Sequence, residues 1–203
     1  MKVEVFGRVA IVGEAQRWEH FPSARCREVI AFLALSNGRS VPRTWLIENV
    51  WPGIDPDQCR NRLSVTLSII RRVLGDSHAT LLYCDRESLK LSNDVENEFE
   101  LFWSSIYAYR NAETDVEKRA AVHRAMSCYR APLLVEVKQE WAVIARNEAL
   151  QAAKQCLKWL AGRDGDQGLA KRAEMGCLTG SRLARAEGFE PPTPSSEDWC
   201  SIH

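Results

Sequence analysis

The stretch from Asp55 to Gly75 constrains this chain more than any other. Asp55 is a residue type whose carboxylate caps free helix amides, and Pro56 suits a first helical position, where no amide proton is needed. Gln58 stands where a capping-box partner belongs. Leu63, Leu67, Ile70 and Leu74 follow at spacings of 4, 3 and 4, and Gly75 supplies a stop. The spacing predicts a helix over 56–74 with one apolar face. Opposite that face fall Asn61, Ser64, Val65, Ser68 and Arg72, with Ile69 near its edge and Arg60 and Arg62 toward the N-terminal end. Within residues 56–75 four arginines oppose one acid, Asp57.

The flanks give this helix a context. Val3, Val5, Val9 and Ile11 alternate with Glu4, Arg8 and Ala10, the period of a half-buried strand. Residues 12–22 are mixed and read as a turn plus a short strand. From Ser23, Cys26, Val29, Ile30 and Leu33 share one helical face, and Asn37-Gly38 closes it. Leu46, Ile47 and Val50 mark a second short helix, broken at Pro52-Gly53. Beyond Gly75, Leu81-Leu82-Tyr83 and Leu89-Lys90-Leu91 bracket a polar turn and predict a hairpin. Strands, three helices and a hairpin in that order are the plan of a winged helix-turn-helix, in which the third helix enters the DNA major groove.

After residue 93 the pattern is helical. Phe99, Phe102, Trp103 and Ile106 define one helix. Thr114 and Glu117 form a capping box that starts a second, with Val116, Ala120, His123 and Met126 as its stripe. Tyr129 to Val135 reads as a loop. Residues 139–161 form a third helix, with Trp141, Leu150, Ala153, Leu157 and Leu160 inward. The expected fold is therefore an α+β winged helix-turn-helix over 1–93, an all-α tetratricopeptide-like helical domain over 94–161, and a disordered tail over 162–203. Within that tail, Gly188-Phe189-Glu190-Pro191 is the peptide that GGTTCGAACC, an arm of many transfer-RNA genes, encodes in one frame. This suggests a reading frame that runs into such a gene.

Composition excludes several classes. The 203 residues carry seven cysteines, an odd number and widely spread, which argues against a disulfide framework or a zinc site and for reduced thiols in a cytoplasmic protein. No apolar run approaches the roughly 18–20 residues of a membrane span. Catalysis has no motif. No phosphate loop occurs, and His20, His78, His123 and His203 are scattered. His123 and Cys128 would point apart on their helix, so no enzyme, cofactor, metal or small-molecule ligand is expected. The net charge is zero, but residues 1–93 carry 13 basic against 10 acidic side chains, whereas 94–203 carry 14 against 17. That asymmetry fits a nucleic-acid-binding half joined to a non-binding half.

The candidate contacts with double-stranded DNA are Arg60, Asn61, Arg62, Ser64, Ser68, Arg71 and Arg72 on the third helix, with Arg86 and Lys90 on the hairpin. Arginine neutralises phosphate and reads guanine, and Asn and Ser hydrogen-bond to base edges or phosphates. The helix N-terminus is expected to add its own attraction for phosphate. The competing reading is a protein-interaction module without DNA binding, favoured by Val65, Ile69 and the neutral net charge.

The segment from Ile30 to Gly75 resembles the winged helix of the AfsR/SARP-type activators. Trp51-Pro52, Arg60-Asn61, Leu63, Leu67, Ile70-Arg71 and Leu74-Gly75 match the family pattern in order. The resemblance continues through Leu89-Lys90-Leu91 and Val95 to Phe99, and Trp141 and Arg146 are similar to a later Trp and Arg of the family. It implies a sequence-specific activator that binds direct repeats, often as two copies head to tail, and contacts RNA polymerase. The helical half would be a bacterial transcriptional activation domain, here ending after about three helices. Two residues depart from the pattern. Ile69 stands where many members carry arginine, and Pro42 replaces the usual Ser cap of the second helix.

Overall fold

A computed structural model describes residues 1–77 and 81–162. Two antiparallel strands, β1 (Lys2–Glu4) and β2 (Ala10–Val12), pair Val3 with Ile11, and the short β3 (Arg17–Trp18) extends the sheet beyond β2. Three helices follow: α1 (Ala24–Leu35), α2 (Arg43–Val50) and α3 (Pro56–Leu74). The hairpin consists of β5 (Leu82–Cys84) and β6 (Ser88–Leu91), and β4 (Val41–Pro42), just before α2, pairs with β6. β7 (Glu96–Asn97) returns to the first sheet parallel to β1, giving the order β3-β2-β1-β7. Helices α4 (Glu98–Asn111), α5 (Asp115–Cys128) and α6 (Glu140–Ala161) complete the described chain.

The helix boundaries have local causes. Ser23 caps α1 through its side chain, Asn97 caps α4, and Thr114 with Glu117 forms the reciprocal box at α5. Asn37 and Gly38 after α1, and Gly75 after α3, all take positive φ, the left-handed backbone that lets the chain leave a helix sharply. α2 has no side-chain cap, as Pro42 leads one to expect. The β4–β6 pairing holds its start instead, with the Arg43 amide donating to the Glu87 carbonyl at 2.8 Å.

One buried apolar cluster runs through the whole described chain, fed from both sides of residue 93. Phe6 packs on Phe102 and Tyr129 with ring centroids 4.8 and 5.4 Å apart. Trp141 of α6 stands edge-on to Phe32 of α1, and its indole N–H donates to the Asn49 carbonyl of α2. Residues 132–135, read from sequence as a loop, lie along the chain after β1. The Leu134 amide donates to Val5 O, Val135 to Gly7 O, and Gly7 to Pro132 O.

Polar groups bind this junction together. Glu98, 1 % exposed, accepts from the amides of Val5 and Phe6 at 2.8 and 3.0 Å and from Arg130 at 2.5 Å. Arg130 also reaches Glu4 at 3.2 Å. The Arg146 guanidinium donates to the carbonyls of Leu133, Leu134 and Val137 in a tight turn, where the Leu134 carbonyl also accepts from the Val137 amide. Burial holds its pKa below the ordinary arginine value. Trp141 and Arg146 thus have a physical role, tying α6 to the units before it.

Several expectations need correction. The first strand is not half-buried with its polar side in water. Glu4 and Ala10 are buried along with the valines, and Glu4 is held there by Arg17 and Arg130. The stripe expected on α5 is rotated. Ala121, Val122, Ala125 and Met126 are buried, whereas Ala120 is exposed and Val116 is 80 % exposed. Val116 lies in the first turn, where a capping box sets the helix start without setting which face packs. Leu150 on α6 is only partly buried. The expected tail beyond Gly162, with Cys177, Cys200, His203 and the Gly188–Pro191 peptide, lies outside the described residues, as does His78. No helix in the described residues is long and apolar enough to cross a membrane.

Candidate nucleic-acid interface

α3 is the helix that the sequence singles out, and the structure shows how it is set. Asp55 accepts from the amides of Asp57 and Gln58 at 3.0 and 3.2 Å. Cys59, Leu63, Thr66, Leu67, Ile70 and Leu74 form its buried face, against α1 and α2. Thr66 is buried because its hydroxyl donates to the Arg62 carbonyl at 2.8 Å, so no unpaired proton enters the core.

The opposite face is open to solvent. Arg60, Asn61, Arg62, Ser64, Ser68, Arg71 and Arg72 are all exposed, and neither the helical half nor the hairpin covers them. At about 100° per residue, the direction opposite the buried stripe runs between Asn61 and Arg72, with Val65 and Ser68 within about 30° on its two sides. Gln58 lies about 50° from this line and Ser64 about 70°, Arg62 and Arg71 stand on its two flanks at about 90°, and Arg60 lies nearest the buried side. From Gln58 to Arg72 the open face spans roughly 21 Å at 1.5 Å per residue. Arg60 pairs with Asp57 at 2.9 Å across one turn, both side chains being well exposed. Arg62, Arg71 and Arg72 have no ion-pair partner among the described residues. Ile69 is partly buried and packs against the core, so this position adds no charge to the face.

Sequence reasoning left two members of this face out of the site. Gln58 stands at a capping-box position, but only its amide takes part in the cap, and its side chain is exposed at the N-terminal end of the open face. Val65 is 59 % exposed at mid-helix. Both were signalled by their spacing of seven residues, two helical turns, along one face. The helix N-terminus is less available to phosphate than expected. Pro56 has no N–H, Asp55 occupies the next two amides, and Asp57 adds negative charge.

The hairpin presents the remaining candidates. Asp85 organises its turn by accepting from the amides of Ser88 and Glu87 at 2.6 and 2.8 Å and from the Ser88 hydroxyl at 2.9 Å. These bonds, that of Ser88 N–H first, hold its pKa below the ordinary aspartate value. Arg43, another residue the sequence did not single out, donates twice to the Asp85 carbonyl and fixes the turn to the start of α2. Arg86 is exposed within the turn. Lys90 is partly buried, with its ammonium 5.7 Å from the Tyr83 ring centre and 3.4 Å from Asn93 Oδ1. It is thus partly engaged within the hairpin, whereas Arg86 is not.

Nothing in the described residues gathers three or more His, Cys, Asp or Glu side chains into a metal-binding group. Cys26, Cys59, Cys128 and Cys156 are free and buried, and Cys84 is partly exposed.

No family model matches the sequence, and no curated protein matches it. Among solved structures, the chain is similar to EmbR of Mycobacterium tuberculosis, determined in complex with a low-affinity phosphopeptide. The likeness has a TM-score of 0.56 at 16 % sequence identity and covers 94 % of this chain. The chain spans 62 % of that protein's length. At this identity the likeness is one of fold: a mixed α/β architecture of six helices and small sheets.

Proposed function

We propose that this protein is a transcription regulator that binds double-stranded DNA sequence-specifically, as a winged helix-turn-helix. In this reading α3 lies in the major groove, about 12 Å wide and able to admit a helix. The β5–β6 hairpin is the wing, with Arg86 against flanking backbone. The observation that carries the reading is the exposed face of α3, with Arg72 on its outer line and Arg62 and Arg71 on its flanks, none of them with an ion-pair partner among the described residues. An unpaired arginine face at the surface of a small helical unit suits phosphate neutralisation and base reading. The AfsR/SARP resemblance and the fold likeness to EmbR agree with it. Helices α4–α6 then correspond to a tetratricopeptide-like activation module that touches RNA polymerase, with two copies on direct repeats.

The test is the salt dependence of binding to a pool of duplexes. Each phosphate-contacting arginine adds about 0.9 to the slope of log affinity against log salt. Arg60→Ala or Arg72→Ala should weaken binding, by about 1–3 kcal/mol if the side chain reads a base. A protein that ignores DNA at low salt, yet retains a protein partner on the same face, is instead the interaction module.

A further inference from the structure

The reading face of α3 has an apolar centre, and its hydroxyl groups are turned inward to the helix. Val65 lies at mid-length close to the outermost line, with Asn61 and Arg72 one and two turns away and Ser68 beside it. Its side chain is 59 % exposed. The Ser64 hydroxyl donates to the Arg60 carbonyl and that of Ser68 to the Ser64 carbonyl, both at 3.0 Å. Each serine therefore presents outward only lone pairs, and the centre of the face offers a branched apolar group beside hydrogen-bond acceptors.

In the major groove, thymine is the base that shows a methyl group, and adenine and cytosine are those that show an amino donor. Resting on the reading of α3 as the groove-binding helix, we propose that Val65 packs on a thymine 5-methyl group and so selects a thymine in the operator. Ser68 Oγ, alongside, accepts from the amino group of an adenine or cytosine in the adjacent pair. Arginine at the centre would select guanine. Valine cannot hydrogen-bond, so its discrimination comes from the area it buries and from the cost of placing a bare amino group or carbonyl against it.

The experiment uses the full chain and the best duplex it selects from a randomised pool. Each thymine is replaced singly by deoxyuridine, which removes only the 5-methyl group, and affinity is read by fluorescence anisotropy. For the natural sequence, one thymine per bound copy should show a loss of about 4-fold, the factor for burying one methyl-sized group. In Val65→Ser that loss should fall to about 1-fold, with other positions unchanged. Thermal melting checks that the variant folds, which its solvent-facing position predicts. A selective duplex with no methyl-sensitive thymine, or a methyl effect as large in Val65→Ser as in the natural chain, overturns the Val65 assignment and leaves DNA binding standing. Failure to retain any duplex at low salt overturns the DNA reading, and this inference with it.

Discussion

Replacing Glu98 tests how firmly the helical half is locked to the first sheet. Its carboxylate is 1 % exposed and takes three hydrogen bonds, from the Val5 and Phe6 amides and from Arg130. Glu98→Ala removes all three. Two buried amides are left unpaired, at about 1–3 kcal/mol each, while Arg130, being half exposed, recovers water and keeps Glu4. We expect a loss of about 3–5 kcal/mol, in the range for breaking a buried pair. That is a large share of the roughly 5–15 kcal/mol by which domains are stable. Glu98→Gln keeps one acceptor oxygen and should cost about 1–3 kcal/mol. Equilibrium urea unfolding, followed by circular dichroism, reads both. With a slope of about 2 kcal/mol per molar, the alanine midpoint falls by about 2 M. A loss below about 1 kcal/mol for Glu98→Ala would refute the claim that this carboxylate is buried and that α4 is tied to β1 through it.

Other consequences follow from single residues. Arg146→Lys cannot serve three carbonyls with the planar fork of a guanidinium, and should lose about 3 kcal/mol in the same urea assay. Burial raises the Glu4 carboxyl, but hydrogen bonds from Arg17 and Arg130 outweigh it and hold the pKa below the ordinary value. Its contribution is then complete above about pH 4.3 and is lost as pH falls through the folded-state value. Arg17→Ala should therefore move the acid-unfolding midpoint, followed by tryptophan fluorescence, to higher pH. The Cys156 thiol is pushed up to about 11 by burial. Mass-mapped labelling near neutral pH should modify Cys84 well before Cys26, Cys59, Cys128 or Cys156, and reversal of that order contradicts the packing.

Much of α3 and the hairpin was legible because their signals are local. A cap, a period and a glycine stop lie within twenty residues of one another, and Leu63, Leu67, Ile70 and Leu74 all face the core. The capping box at Thr114 was equally plain. What sequence could not show depends on partners far along the chain. β7 has two residues and no period, and it exists as a strand only because β1 lies beside it, more than ninety residues earlier. Residues 132–135 turn tightly, with Leu134 at positive φ, and are held there because the backbone of Val5 and Gly7 bonds to them. Glu4 looks solvent-facing by alternation until Arg17 and Arg130 arrive to pair with it. Ser64 and Ser68 were legible as face residues, but not the direction in which their hydroxyls donate. That direction changes what they can offer a base.

In the proposed function, the open face of α3 enters the major groove of DNA. Methylation footprinting with dimethyl sulfate tests it directly, because the reagent reads guanine N7 in the major groove and adenine N3 in the minor groove. N7 protection within the bound duplex is expected, weakened in Arg72→Ala. Protection confined to adenine N3, or N7 protection unchanged by the loss of Arg72 and Asn61 together, would contradict it.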